Sequence, residues 1–388
     1  MTYTEDYKQL SQYYHPAKSH IRFDEEGLVI DNQWFYSHFY DAFPDNYKIP
    51  AYSDENFFMR QDKSIAENRE FIYPIFKKIN GSDNSKVIIL LHGLNERTWD
   101  KYLPWGKALC LNTGHPVILF PISFHMNRSP KIWRDPRKMS LWVKQRKKQH
   151  PFIEESSFAN AAISSRLEQY PQRFFLSGLE TYFNLYELIE QLQNGQHPLI
   201  RNYPRVNFFG YSIGALLTQI MLMSNPEEKL TSSKAFIFCG GTTLDKMNGT
   251  SKFILDSKAF EAIRDLFVNT DFEINLPDPI KENVKRFNLS KTFHAMMHSS
   301  ILPELRNSGL SSLKNRIKLC PLIKDKVIPA HAVKETFSKA NGKLQDFVHT
   351  MDFSYQYTHE RPFPCDENDN RINEAFEKVF RKASEFLK

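Results

Sequence analysis

Glycine, cysteine and long apolar runs are all scarce in this chain of 388 residues. Its 14 glycines are about half the usual share, so a cluster of glycines is informative. Its four cysteines lack the spacing of a zinc site and are expected to be reduced thiols in the core. No apolar stretch reaches the roughly 18 residues of a membrane-spanning helix. The N-terminus lacks a basic start followed by an apolar core, so we expect no signal peptide and a cytoplasmic protein.

Positive charge is concentrated in one segment. Residues 128–148 contain nine Lys or Arg and one acid, Asp135, so the segment carries +8 and the rest of the chain −2 of the net +6. Because the remainder is not basic, we expect no nucleic-acid partner and interpret the segment as a solvated helix face. The alternative is that it binds an anionic group of a substrate, a nucleic acid or a membrane surface.

Strands alternate with helices from residue 86 onward, which predicts an α/β protein with a mostly parallel sheet and helices on both faces. The runs at 86–91 and 116–121 are continuously apolar, as is typical of strands buried on both sides. Further strands are predicted at 206–209, 234–239, 316–319 and 344–357. Residues 1–85 are predicted to be an N-terminal extension packed on a core of residues 86–388. Irregular insertions at about 122–172 and 242–312 are predicted to form a cap.

The most specific motif is Gly210-Tyr211-Ser212-Ile213-Gly214, between a predicted strand and a predicted helix. A nucleophile at such a turn needs strained backbone angles and small neighbours, which the two glycines supply. The turn would lift the Ser212 hydroxyl to the positive end of the following helix. The alternative is an ordinary turn in which Ser212 only caps the helix.

An acyl-transfer serine needs donors for the oxyanion that develops on the substrate. The backbone amide of Ile213 is one candidate, because it follows the nucleophile directly. The amide of Leu94 is the other, since Leu91-His92-Gly93-Leu94 comes directly after a buried strand. The His92 side chain is expected to pack in this loop and is not assigned a proton transfer.

Together these motifs resemble the α/β-hydrolase superfamily, and in particular an uncharacterised bacterial branch of it. The resemblance covers residues 86–388 without the two insertions. It implies a serine hydrolase of the esterase or lipase kind with a Ser–His–Asp triad, in the order nucleophile, acid, histidine. It also implies that neither a metal nor an organic cofactor is needed.

The acid is expected in the loop after the penultimate strand, where Asp325 precedes Val327-Ile328-Pro329. Asp245, one strand earlier, is the rival. The base is expected after the last strand, which favours His359 at its end over His349 inside it, because the base must reach the rim of the sheet. His125, His294 and His298 lie in the insertions and are expected to be structural or cap residues rather than metal ligands.

These residues predict an enzyme that cleaves an ester or related acyl bond of a small-molecule substrate through an acyl-enzyme intermediate. Peptidase and acyltransferase activities use the same triad and stay open. The substrate pocket is predicted to include His92, Tyr211 and Arg128, the last as a group that recognises an anion. The main alternative is a member of the fold that binds a ligand without catalysis. The sequence does not indicate an oligomeric state.

Overall fold

A computed structural model describes residues 2–44, 60–269, 276–340, 343–365 and 369–388. Its centre is an eight-stranded sheet with the order β1-β2-β3-β5-β4-β6-β7-β8. Neighbours are antiparallel from β1 to β3 and between β3 and β5, and parallel from β5 across to β8. The strands are β1 His20–Phe23, β2 Leu28–Tyr36, β3 Glu70–Lys78, β4 Lys86–Leu91, β5 Val117–Phe120, β6 Arg205–Tyr211, β7 Ala235–Phe238 and β8 Ile317–Cys320.

Helices cover both faces of this sheet. Within the described residues they are α1 Tyr3–Tyr13, α2 Ala66–Arg69, α3 Leu103–Thr113, α4 Pro136–Gln149, α5 Ala161–Gln169, α6 Gln172–Gln193, α7 Ile213–Ser224, α8 Ser257–Asn269, α9 Asp278–Arg286, α10 Leu289–Met297, α11 Pro303–Ser312, α12 Ala330–Phe337 and α13 Asn370–Leu387. No helix in these described segments is long and apolar enough to cross a membrane.

The core lies in two layers separated by the sheet. Alternate residues of each central strand belong to opposite layers, as the pleat of a strand requires. In β4, Ile89 packs in the layer that contains α6 and α7, whereas Ile88 and Leu90 pack in the layer that contains α1, α3 and α13. The predicted fold class is confirmed: this is a mostly parallel sheet with helices on both faces, the α/β-hydrolase fold.

The strand predicted at 344–357 is wrong. Leu344–Asp346 forms a short 3-10 turn, and beyond it only Val348 and Met351 make isolated bridges, to Leu319 and Leu322. Phe353, Tyr355 and Tyr357 alternate as in a strand, but they pack on one another and on the α13 layer instead of pairing with a neighbouring strand. The alternation therefore reflects aromatic packing and not sheet pairing.

The N-terminal segment and the two insertions hold distinct places in the fold. Strands β1 to β3 lie within residues 1–85, so this segment supplies one antiparallel edge of the sheet itself. The insertions contact each other, because Arg146 of α4 forms an ion pair with Asp256 (2.7 Å) just before α8. The division of the chain at residue 85 and the cap role of the insertions stay predictions.

Candidate active site

Ser212 sits at the turn between β6 and α7 in an unusual backbone conformation. Its φ of 56° and ψ of −119° are strained for a residue with a Cβ atom, and such strain concentrates at functional sites. The flanking glycines permit the turn. A Cβ on Gly210 would lie 2.8 Å from the Ala215 backbone, and one on Gly214 would lie 2.4 Å from the Leu91 carbonyl oxygen.

His359 lies between Ser212 and Asp325 in one chain of hydrogen bonds. Its Nε2 is 2.7 Å from Ser212 Oγ and its Nδ1 is 2.7 Å from Asp325 Oδ2. All three side chains are buried. A carboxylate only accepts, so Nδ1 carries the proton and Nε2 is left to accept the serine proton. The second Asp325 oxygen accepts from the amides of Val327 and Ile328, both at 2.9 Å, which fixes the carboxylate.

The rival acid and base lie in other surroundings. Asp245 accepts a 2.6 Å hydrogen bond from Ser299 and is 3.9 Å from His298. His349 lies along β8, where its amide donates to the Leu319 carbonyl. The lysine before Asp325 is directed elsewhere, since Lys324 Nζ donates to the Phe353 carbonyl at 3.2 Å. The geometry therefore favours Asp325 and His359 over Asp245 and His349.

The loop after β4 and the start of α7 are held together beside Ser212. The Gly214 amide donates to the His92 carbonyl at 3.1 Å. The His92 ring also fastens the loop, since its Nδ1 donates to the Gly93 carbonyl (2.8 Å) and its Nε2 accepts from the Ile122 amide (2.9 Å). Within the described residues, the amides of Leu94 and Ile213 donate no hydrogen bond, so both are available to donate to a substrate oxyanion.

The three residues predicted in the substrate pocket, His92, Tyr211 and Arg128, are almost fully buried. His92 is fully buried, and burial together with His125 lowers its pKa well below the usual range. Tyr211 donates its hydroxyl to the His359 carbonyl, and its ring stacks on the His359 ring at 5.5 Å. Arg128 has no exposed surface and forms a 2.9 Å ion pair with buried Glu180. All three hold the framework of the site.

Two small apolar cavities meet beside Ser212, and Leu94, Phe174 and Ile213 line both. The first includes Ser212 itself. Its remaining lining is apolar: Leu244, Met247, Gly249, Ile254, Leu255, Phe260, Ile263, Val327 and Ile328. The second cavity is lined also by Ile122, His125, Ser177, Gly178, Leu216, Leu217, Ile220 and Phe293. No pattern along the chain indicates that His125 of the first insertion lines this cavity.

The fold and the hydrogen-bonded serine, histidine and aspartate define an α/β-hydrolase-fold protein with a candidate nucleophile site. All 388 residues match the sequence profile of a family of unknown function, DUF6051, and the chain belongs to that family. A comparison with curated proteins gave no match.

Among solved structures, similar chains include three hydrolases. A cold-adapted esterase from an Arctic intertidal metagenomic library is 10% identical with a TM-score of 0.43, over 95% of this chain and 97% of that one. A thermostable esterase from Pseudomonas putida ECU1011 is 10% identical with a TM-score of 0.47, over 100% and 91%. An S-formylglutathione hydrolase from Agrobacterium tumefaciens is 12% identical with a TM-score of 0.45, over 95% and 99%.

Proposed function

We propose that this protein is a serine hydrolase that cleaves an ester or related acyl bond, with Ser212 as nucleophile, His359 as base and Asp325 as the acid. The observation that carries the proposal is the pair of 2.7 Å hydrogen bonds from His359 to Ser212 and to Asp325, built on a strained strand-to-helix turn. Nucleophile, base and orienting group within hydrogen-bond reach are the signature of an activated serine.

The reaction follows from this arrangement. Ser212 Oγ attacks the substrate carbonyl carbon while its proton passes to His359 Nε2, and the carbonyl oxygen becomes an oxyanion held by the amides of Leu94 and Ile213. The intermediate collapses, the bond to the leaving group breaks, and His359 gives that proton to the departing oxygen. Water then attacks the acyl-enzyme with His359 as base, which releases the acid and restores Ser212. Asp325 stabilises the imidazolium form throughout.

The cavities support a substrate with short, mostly apolar groups on either side of the carbonyl. Both are lined mainly by aliphatic and aromatic side chains, and such walls bind by removing apolar surface from water. Arg128, the proposed anion receptor, is committed to Glu180. A neutral ester therefore fits better than a charged one. The insertions at 122–172 and 242–312 would cover the substrate, and the free cysteines suit a reducing, cytoplasmic setting.

The experiment is labelling and turnover in parallel. The protein is treated with a fluorescent fluorophosphonate and separately assayed on p-nitrophenyl butyrate. We expect the wild type to be labelled and Ser212→Ala to be unlabelled, with turnover reduced more than about 10³-fold because the triad acts as a unit. Ser299→Ala, which also removes a serine that hydrogen-bonds an aspartate, is the matched control and should retain activity.

Labelling that persists in Ser212→Ala would overturn the nucleophile assignment. A folded wild type that is neither labelled nor active on any ester would support the binding protein instead.

A further inference from the structure

The second cavity beside Ser212 has one feature that its apolar lining does not explain. His125 lines it, yet the side chain is 4% exposed and thus shielded from water. Its Nδ1 lies 2.8 Å from the Ser123 carbonyl oxygen, which can only accept, so Nδ1 carries a proton. Among the described residues, His125 Nε2 has no hydrogen-bond partner.

This nitrogen is an acceptor and not a donor at neutral pH. Burial lowers the pKa of His125 to about 4, so the ring is neutral and Nε2 keeps a free lone pair. A buried acceptor without a partner is unfavourable, and native proteins rarely leave one without a reason. A hydrogen-bond donor on the ligand would satisfy it.

The backbone around His125 also indicates a built site. Phe124 and Met126, on either side of it, have positive φ values of 66° and 49°. Such angles are costly for residues with side chains and persist only where the surroundings enforce them. The Met126 amide donates to the Glu96 carbonyl at 3.0 Å, and the His125 amide to the Ile122 carbonyl at 3.0 Å. The segment thus holds the His125 ring in one orientation.

The chemistry of the donor can be narrowed to a hydroxyl. An amide would bring its own carbonyl, which needs a donor in return. The side-chain donors on this wall are already used: Ser177 Oγ donates to the Phe174 carbonyl (3.0 Å), and His125 Nδ1 to the Ser123 carbonyl. An ammonium group would have no carboxylate to pair with, since the lining contains no acid.

We propose that the physiological substrate is a hydroxylated ester, whose hydroxyl on an otherwise apolar group donates a hydrogen bond to His125 Nε2. This rests on the proposed function and specifies its substrate class. His125 is a specificity residue that takes no part in proton transfer, which belongs to His359. Sites that hydrogen-bond a substrate hydroxyl discriminate strongly against analogues that lack it.

The test compares matched esters in a pH-stat assay. For the acyl side, the pairs are methyl butyrate against its 2-hydroxy and 3-hydroxy forms. For the alcohol side, the pair is propyl butyrate against 3-hydroxypropyl butyrate. Each kcat/KM ratio, corrected for the alkaline hydrolysis rates of the two esters, is measured for the wild type, His125→Leu, His125→Gln and His349→Leu. The last variant removes a histidine that lies along β8, away from the cavity.

We expect the wild type to prefer one hydroxylated ester by about tenfold or more. His125→Leu should abolish that preference, which is read from the ratio of the two kcat/KM values so that a loss common to both esters cancels. His125→Gln should retain part of the preference, because its carbonyl oxygen also accepts. His349→Leu should behave as the wild type. The ester pair that responds identifies whether the cavity holds the acyl or the alcohol group.

Equal kcat/KM ratios for the wild type and His125→Leu on every ester pair would overturn the inference, whether or not the wild type prefers a hydroxylated ester. A water molecule bound to Nε2 would produce that result. If the wild type hydrolyses none of the esters and Ser212 is not labelled by fluorophosphonate, the proposed function itself fails. If the wild type hydrolyses the plain esters but does not prefer a hydroxylated one, only the inference about His125 fails and the proposed function stands.

Discussion

Tyr211, which precedes the proposed nucleophile Ser212, contacts His359 and lines neither of the two cavities. Its hydroxyl donates to the His359 carbonyl and its ring stacks on the imidazole. The Lys101 ammonium lies 4.7 Å from the centre of the Tyr211 ring and also donates to the Glu360 carbonyl. The loop that carries His359 is therefore held by Tyr211 at the end of β6 and by Lys101 in the loop before α3.

We expect Tyr211→Phe to lower kcat by up to about tenfold, because a neutral hydrogen bond that positions the base contributes about 1 kcal/mol. KM should change little, since the hydroxyl does not line a cavity. Tyr355→Phe is the matched control, as it removes a similar bond to the Pro362 carbonyl (2.9 Å) away from His359. Steady-state kinetics of both variants check this, and a rise in KM without a fall in kcat would contradict it.

The triad carboxylate can be identified with Asp→Asn substitutions, which remove the negative charge and keep the shape of the side chain. We expect Asp325→Asn to lower kcat by about 10⁴-fold, because an amide would no longer fix the tautomer that leaves His359 Nε2 free to accept. Asp245→Asn should leave kcat almost unchanged, since Asp245 is bonded to Ser299. Pre-steady-state and steady-state rates on p-nitrophenyl butyrate decide between them. The reverse order of effects would restore Asp245 as the acid.

At the scale of residues, the sequence predicts a site residue when its position depends on the strand directly before it in the chain. Ser212 and Asp325 each follow a predicted strand that forms, so their meeting at one rim could be predicted. The position of His359 was inferred from a strand at 344–357 that does not form. Arg128 could not be interpreted correctly, because its partner Glu180 is 52 residues away and nothing near Arg128 indicates burial. His125 was missed for the same reason, as its cavity neighbours come from α6, α7 and α10.

At the scale of elements, the Arg128 ion pair joins three parts of the fold. Arg128 Nη2 bonds Glu180 of α6 at 2.9 Å, and its Nε bonds Asn68 of α2 at 3.0 Å. Asn68 in turn donates to Glu180 at 2.7 Å. The network links α2, which leads into β3, the segment after β5, and α6. It thereby connects the antiparallel edge of the sheet to the helix that lines both cavities.

We expect Arg128→Met to lower the free energy of unfolding by about 3–5 kcal/mol, because it leaves the buried Glu180 carboxylate without its charge partner. Desolvation already raises the pKa of Glu180. Arg137→Met, at an exposed position of α4, is the control and should change stability by less than about 0.5 kcal/mol. Urea unfolding of both variants is the measurement. Equal, small effects would mean that the network contributes little.

At the scale of the whole molecule, a buried neutral histidine makes the free energy of unfolding depend on pH. His197 has no exposed surface; its Nδ1 accepts from the amides of Leu199 (3.2 Å) and Ile200 (3.1 Å). Its Nε2 is 2.9 Å from the Tyr73 hydroxyl. Burial lowers its pKa to about 4, below about 6.5 in the unfolded chain. The unfolded state therefore takes up a proton first as the pH falls.

Stability should accordingly be greatest above about pH 6.5 and decline toward pH 4. The contribution of His197 alone is about 2 kcal/mol between pH 7 and pH 5. We expect His197→Asn to be less stable at pH 7 but to show a shallower decline, whereas His331→Asn, at an exposed position, should follow the wild-type slope. Urea unfolding at several pH values measures the slopes. A parallel decline in His197→Asn would contradict the assignment.

The segment at 347–351 affects how the molecule behaves among copies of itself. A last strand such as β8 normally leaves a row of amides and carbonyls open to a foreign strand. Here the Leu319 amide donates to the Phe347 carbonyl, the His349 amide to the Leu319 carbonyl, and the Met351 amide to the Pro321 carbonyl. These bonds occupy the groups that a second chain would pair with. A stretch too irregular to extend the sheet therefore protects this edge against aggregation by strand addition, on the side where the Asp325 loop lies.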